Sequence, residues 1–146
     1  MSFGRAAYGP ARGGFARPAA GDRCPCGSGD RFDGCCEPLL RGVPAATAER
    51  LMRSRYTAFV VGDARHLARS WHPRTRPDDL VLDPAQRWTG LQILATEAGT
   101  GADAEGVVEF RARWQRGPND GELHERSRFV RRAGRWCYLD GEVHAT

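Results

Sequence analysis

Chemistry concentrates in one short stretch. Residues Asp22 to Pro38 read DRCPCGSGDRFDGCCEP and hold four of the chain's five cysteines, Cys24, Cys26, Cys35 and Cys36. The pattern is Cys-x-Cys, eight intervening residues, then an adjacent Cys-Cys. Two close pairs joined by a loop supply the four soft ligands that a structural zinc ion takes in a tetrahedron, with sulfur about 2.3 Å from the metal. Gly27, Gly29 and Gly34 let the loop curl so that backbone N–H groups point at thiolate sulfur. Arg23 and Arg31 offset the negative charge of a four-thiolate centre. The alternative is a pair of disulfides. A bridge within either pair is strained by Cα spacing and by the S–S dihedral, which leaves cross-bridges between the pairs. Iron–sulfur ligation is a further alternative, although the spacing is tighter than ferredoxin patterns. The expectation is one structural Zn²⁺ on these four cysteines, a closed site with no open position for substrate.

CPCGSG at 24–29, Phe32 and the Cys35–Cys36 pair resemble the SEC-C motif, a small zinc knuckle found at the C-terminus of the SecA translocation ATPase and in other proteins. The knuckle in SecA is a docking element for a chaperone, membrane phospholipid or the ribosome. The resemblance therefore implies contacts with another protein.

Composition limits the remaining readings. The chain has 146 residues, enough for one ordinary domain with small appendages. Its 22 basic residues are all arginine, against 18 acidic residues, for a net charge of +4. Exclusive use of arginine looks like drift in a GC-rich genome, so arginine count is discounted as a sign of nucleic-acid binding. No apolar run approaches the roughly 18 residues needed to cross a bilayer. The first residues lack the apolar core of a signal peptide. A cytoplasmic location is expected, where thiols stay reduced.

The elements that must position the cysteines follow from periodicity. Residues 1–21, rich in Gly, Ala, Pro and Arg, read as a disordered tail with a single RGG-like Arg12-Gly13-Gly14-Phe15 segment. Residues 22–42 form the knuckle, with Leu39–Leu40 packing it onto the body. Its core is too small to fold alone, so metal supplies much of its folding free energy, on the order of 10 kcal/mol. A helix is predicted from Ala45 to Val61, with Thr47 as N-cap and Gly62 as terminator. Asp63 starts a second helix whose buried stripe is Ala64, Leu67, Ala68 and Trp71, stopped by His72-Pro73. Residues 73–87 read as a loop with a turn of helix near Asp78 to Leu82. Period-two patterns then predict strands at Gly90–Ala98, Val107–Arg116, Glu122–Arg131 and Arg135–Leu139.

Helix, helix, then three or four antiparallel strands is an α+β order, with helices on one face of a curved sheet. It resembles the cone-shaped barrel of the nuclear transport factor 2-like superfamily, placed here at 45–146. LMRSRYTAF at 51–59, WHP at 71–73, ERSRF at 125–129 and RWCYLDG at 135–141 together resemble the YchJ-like family of bacterial proteins. That family has no established activity, so the resemblance bears on fold. Some members of the superfamily are isomerases, dehydratases or hydrolases, so the cone itself is a candidate pocket. Its candidate residues are Tyr56, His72, Glu125, Ser127, Tyr138 and Asp140, with Glu125 or Asp140 as acid or base. The competing expectation is an ion pair from Arg53 or Arg55 to Glu125 that closes the cone. Lone Cys137 reads as a small apolar side chain. The favoured function is a protein-interaction or adaptor module with a structural zinc site. The alternatives are an enzyme of proton transfer or hydrolysis, and ribosome or nucleic-acid association through arginines.

Overall fold

The computed structural model describes residues 15–144. Most of the expected tail, with three of the four RGG-like residues, lies outside them. The described part, 15–21, is not a free tail. Phe15 packs against the core and lies directly over Gly62, and Arg17 stacks on Phe32 and pairs with Glu37.

Among the described residues, three α-helices precede four strands: α1 (Cys36–Leu40), α2 (Ala48–Val61), α3 (Ala64–Arg69), β1 (Arg87–Ala98), β2 (Glu105–Arg116), β3 (Asn119–Arg132) and β4 (Arg135–His144). The strands form one antiparallel meander in sequence order. This is the expected α+β architecture, with helices on one face of the sheet.

α2 starts three residues later than predicted because Thr47 is its cap. The Arg50 N–H donates to Thr47 Oγ1 at 3.1 Å, which satisfies one of the orphan donors of the first turn. Gly62, at φ 79°, ends the helix. Asp63 caps α3 by accepting from the His66 N–H. α3 stops at Arg69, short of Trp71, because Ser70 to His72 pair with β4 instead. The Tyr138 N–H donates to Ser70 O and the His72 N–H to Tyr138 O, each at 2.8 Å. Trp71 thereby stays buried, but from a bridge on the sheet and not from a helix face. No helix forms in the 73–86 loop.

Two strands break the simple period. In β1, register shifts at Thr89 and Leu94 leave one residue unpaired each time. Leu91 and Ile93 lie opposite the buried Ala112 and Phe110, as the alternation predicts. Beyond the second bulge Ala95 sits opposite Glu109, on the outer face. β4 runs five residues past its predicted end, and Leu139 is the extra residue between the pairs Phe129–Tyr138 and Arg128–Asp140.

α2 is buried on nearly all sides, from Leu51 to Phe59, because it lies between the knuckle and the sheet. Ser54 and His66 show how its polar groups are satisfied. Arg69 can only donate, so His66 Nδ1 accepts its bond. Nε2 then carries the proton and donates to Ser54 Oγ, whose hydroxyl donates to Leu51 O. Burial, with Arg55 and Arg69 nearby, lowers the His66 pKa from 6.5 to about 3. The folded chain therefore declines a proton that the unfolded chain accepts. The stability contributed is complete above about pH 6.5 and is lost as pH falls toward 3, by at most about 1.4 kcal/mol per unit. In an NMR titration of the imidazole, His66 is expected to stay neutral at about pH 5; a midpoint near 6.5 contradicts this packing.

Candidate functional site

The knuckle brings Cys24, Cys26, Cys35 and Cys36 together. Their sulfurs all lie within 4.8 Å of one another, and all four residues are buried. The turn from Phe32 to Gly34 leads the chain into Cys35, and Cys36 opens α1. Cys26 and Cys35 Sγ are 3.7 Å apart. A tetrahedron with 2.3 Å bonds has edges of about 3.8 Å, whereas a disulfide holds its sulfurs at about 2.05 Å. All five cysteines are free. The group can hold a metal ion.

The thiols depend on one another. Hydrogen bonds from Cys24 and then Cys36 push Cys26 well below the ordinary thiol range. Cys24 is raised to about 11, first by its bond to Cys26, and Cys36 is raised by Cys24, Cys26 and burial. Protein groups alone favour one thiolate among these three. A cation at the centre is what would let them ionise together.

The surroundings serve the sulfurs. Ser28 Oγ lies 3.2 Å from Cys35 Sγ, and Thr57 Oγ1 lies 3.8 Å from Cys24 Sγ. Arg53 Nη1 donates to Cys26 O at 2.8 Å and approaches its sulfur at 3.9 Å. Arg53 and Thr57 are four apart on α2 and so face the same way. Arg53, one of the two expected partners of Glu125, faces the knuckle instead, and Thr57 carried no expectation. The i, i+4 spacing was the available signal, but it has meaning only once the knuckle is known to dock there. Arg23 instead donates to Gly29 O and Arg31 pairs with Asp33, both at the exposed edge. Leu39 and Leu40 are buried where the knuckle meets the body.

A second polar group lies inside the cone. Glu125, Ser127 and Tyr138 come together. Ser127 Oγ donates to Glu125 Oε2 at 2.7 Å and Tyr138 Oη donates to the same oxygen at 3.2 Å. Glu125 and Ser127 are 0% exposed and Tyr138 is 2%, so solvent does not reach the carboxylate. Burial, then Glu125, raises the Tyr138 pKa and keeps the hydroxyl a donor.

Arg55, 1% exposed, joins this group from α2. Its guanidinium lies 4.8 Å from the Trp71 ring and 4.5 Å from the Tyr138 ring. Nη1 donates to Leu67 O and to Ser70 Oγ. Burial lowers its pKa to about 10, opposed by Tyr138 and Glu125, so it is charged at neutral pH. Arg55 thus meets Glu125 through the field across Tyr138.

The other pocket candidates lie elsewhere. Tyr56 is buried toward β1, with a hydrogen bond to the Gly90 backbone. His72 sits at the half-buried edge, where its Nδ1 accepts from the Arg74 N–H. Asp140 does not share a face with Trp136 and Tyr138. The bulge at Leu139 turns it outward, where it takes two bonds from Arg128 at 2.6 and 2.7 Å.

Gly141 then takes the inward position. A methyl group there would overlap Glu125 Oε2 and Cδ. Gly141→Ala is expected to cost about 1–3 kcal/mol in a denaturant titration; an unchanged midpoint contradicts this close approach.

Residues 47–141 match the family described as the middle, NTF2-like domain of YchJ. The chain belongs to the YchJ-like family. Its relatives in this family carry UPF0225 names. One from Streptomyces coelicolor is 57% identical and covers 82% of this chain and 94% of its own length. Another, from Chromobacterium violaceum, is 47% identical over 82% of this chain and 92% of its own. Two solved structures are similar to this YchJ-like chain, and both are described as SEC-C motif containing proteins. The solution structure from Rhodopseudomonas palustris has a TM-score of 0.73 at 34% identity, covering 85% of this chain and all of that one. The crystal structure from Psychrobacter arcticus has a TM-score of 0.68 at 26% identity, covering 87% and 85%. The described residues include no helix long and apolar enough to cross a membrane.

Proposed function

We propose that this chain is a protein-interaction or adaptor module whose knuckle is folded by one structural Zn²⁺ on Cys24, Cys26, Cys35 and Cys36. The observation that carries this reading is the buried group of four sulfurs at tetrahedral spacing. It is braced against α2 through Arg53 and Thr57. Four thiolates favour zinc over the harder cations, which prefer oxygen. With every coordination position taken by sulfur, the metal's contribution is shape. It fixes a small surface beside the sheet domain. A reduced compartment, the cytoplasm, suits such a centre.

Catalysis in the cone is the weaker reading, because the carboxylate at its heart is sealed and held by two hydroxyls. A polyanion-binding sheet is also weaker, since outer-face arginines pair with carboxylates: Arg111 with Glu122, Arg126 with Glu97 and Arg128 with Asp140. The test is a pull-down with wild type and Cys36→Ser side by side. Wild type is expected to recover a defined protein partner, and the variant to lose it. Equal recovery by both would make the knuckle a structural clip with no part in binding, and recovery of RNA that falls steeply with salt would favour the polyanion reading.

A further inference from the structure

One cleft carries arginines to which the preceding chemistry gives no carboxylate, beside His66 and Ser70 of the buried network. It lies where the end of α1, the helix pair and the β3–β4 turn meet, and its volume is about 150 Å³. That is about five water volumes. Leu39, Leu51 and Trp136 supply apolar wall, and Arg69, Arg132 and Arg135 supply charge. No aspartate or glutamate lines it, and none of the four clustered cysteines does.

Several arginines of this protein meet carboxylates across the sheet and along helices, and others, such as Arg131, meet backbone carbonyls. These three have no carboxylate partner among the described residues. Two of them are nevertheless held in place. Arg69 Nη2 donates to Leu40 O at 2.8 Å and to Leu39 O at 3.2 Å, and Arg135 Nη2 donates to Gly42 O at 2.7 Å. Their charge is fixed at the cleft by backbone carbonyls, which leaves it unneutralised. Trp136 is 3% exposed, and its indole N–H has no hydrogen-bond partner among the described residues. The Arg131 guanidinium stacks 4.4 Å from the Trp136 ring and holds it.

We infer that this cleft binds a carboxylate carried on a short branched apolar group. The planar guanidinium fork matches a carboxylate in two-point geometry. The leucine and tryptophan walls favour hydrocarbon beside the charge, which inorganic phosphate lacks. A free branched-chain carboxylic acid and the C-terminal leucine of a peptide share this chemistry. The inference goes beyond the adaptor reading but uses the folded knuckle, to which Leu39 and Leu40 belong; zinc content and protection of residues 22–40 are read on the same sample, so its failure and the failure of that reading are separable.

The test is a ¹H–¹⁵N NMR titration of the full chain with N-acetyl-leucine, N-acetyl-leucinamide, inorganic phosphate and a short neutral peptide ending in leucine. N-acetyl-leucine is expected to give saturable shifts at the Trp136 indole and at Leu39 and Arg135 amides, with a Kd on the order of millimolar for so small a ligand. Arg132→Gln/Arg135→Gln, two exposed positions, is expected to weaken it about tenfold, with the rest of the spectrum unmoved. Tighter binding of the peptide makes a chain terminus the source; equal binding makes it the free acid, and both support the site. Equal shifts with the uncharged amide, equal shifts with phosphate, or none with N-acetyl-leucine would each overturn it.

Discussion

Cys36→Ser is expected to abolish stoichiometric metal binding and to undock residues 22–40 from α2. The knuckle has little core of its own: Phe32 and the cysteines are its buried side chains, with Leu39 and Leu40 shared with the body. Apparent binding free energies for structural zinc sites are about 10–16 kcal/mol near neutral pH, larger than anything those few side chains contribute. Losing one ligand should therefore cost the knuckle its fold, while the sheet and α3 persist. Hydrogen exchange will read this directly. Amides of the knuckle should exchange freely, and protection should fall along the α2 face that carries Arg53 and Thr57. Cys137→Ser is the control. Its sulfur lies outside the group, near Arg135 O, and its loss should leave metal content unchanged. Retained protection of residues 22–40 in Cys36→Ser would contradict a metal-folded knuckle.

Arg55→Ala should be the most damaging change within the sheet domain, at about 3–5 kcal/mol. It removes a buried cation that two aromatic rings and two hydrogen bonds hold in place. It also leaves Glu125 without the positive field of Arg55. Desolvated cation–π contacts are worth about 2 kcal/mol or more, and the cavity adds to that. Lysine should not rescue, because a point charge cannot stack on Trp71 and Tyr138 while reaching Leu67 O and Ser70. Glu125→Gln in the Arg55→Ala background should cost less than Glu125→Gln alone, with a coupling of about 0.5–3 kcal/mol in a double-mutant cycle. Strictly additive losses would show that the two groups do not sense each other across Tyr138.

Much of this was legible in the residues. The cysteine spacing picked out the four sulfurs that come together, because the spacing of candidate ligands is local. The Thr47 cap, the Gly62 stop and the β2 strand could be read because capping and alternation are local too. What failed was long-range. Sequence named Arg53 and Arg55 alike as arginines that could close the cone on Glu125; only the third side of α2, covered by Trp71 and β4, makes Arg55 the interior one. The face of Asp140 was misjudged because one bulge at Leu139 inverts every later position in the strand. The bulge at Leu94 did the same to Ala95. Nothing in Phe15 announces that it will cover Gly62. Bulges and docking are set by contacts between elements, and periodicity within an element does not carry them.

The central claim, a zinc ion that folds the knuckle, is tested most directly by elemental analysis of the full chain purified under reducing conditions without added metal. The account predicts close to one zinc per chain, lost on strong chelation together with the protection of residues 22–40. A folded chain with that protection intact and no bound metal would contradict it.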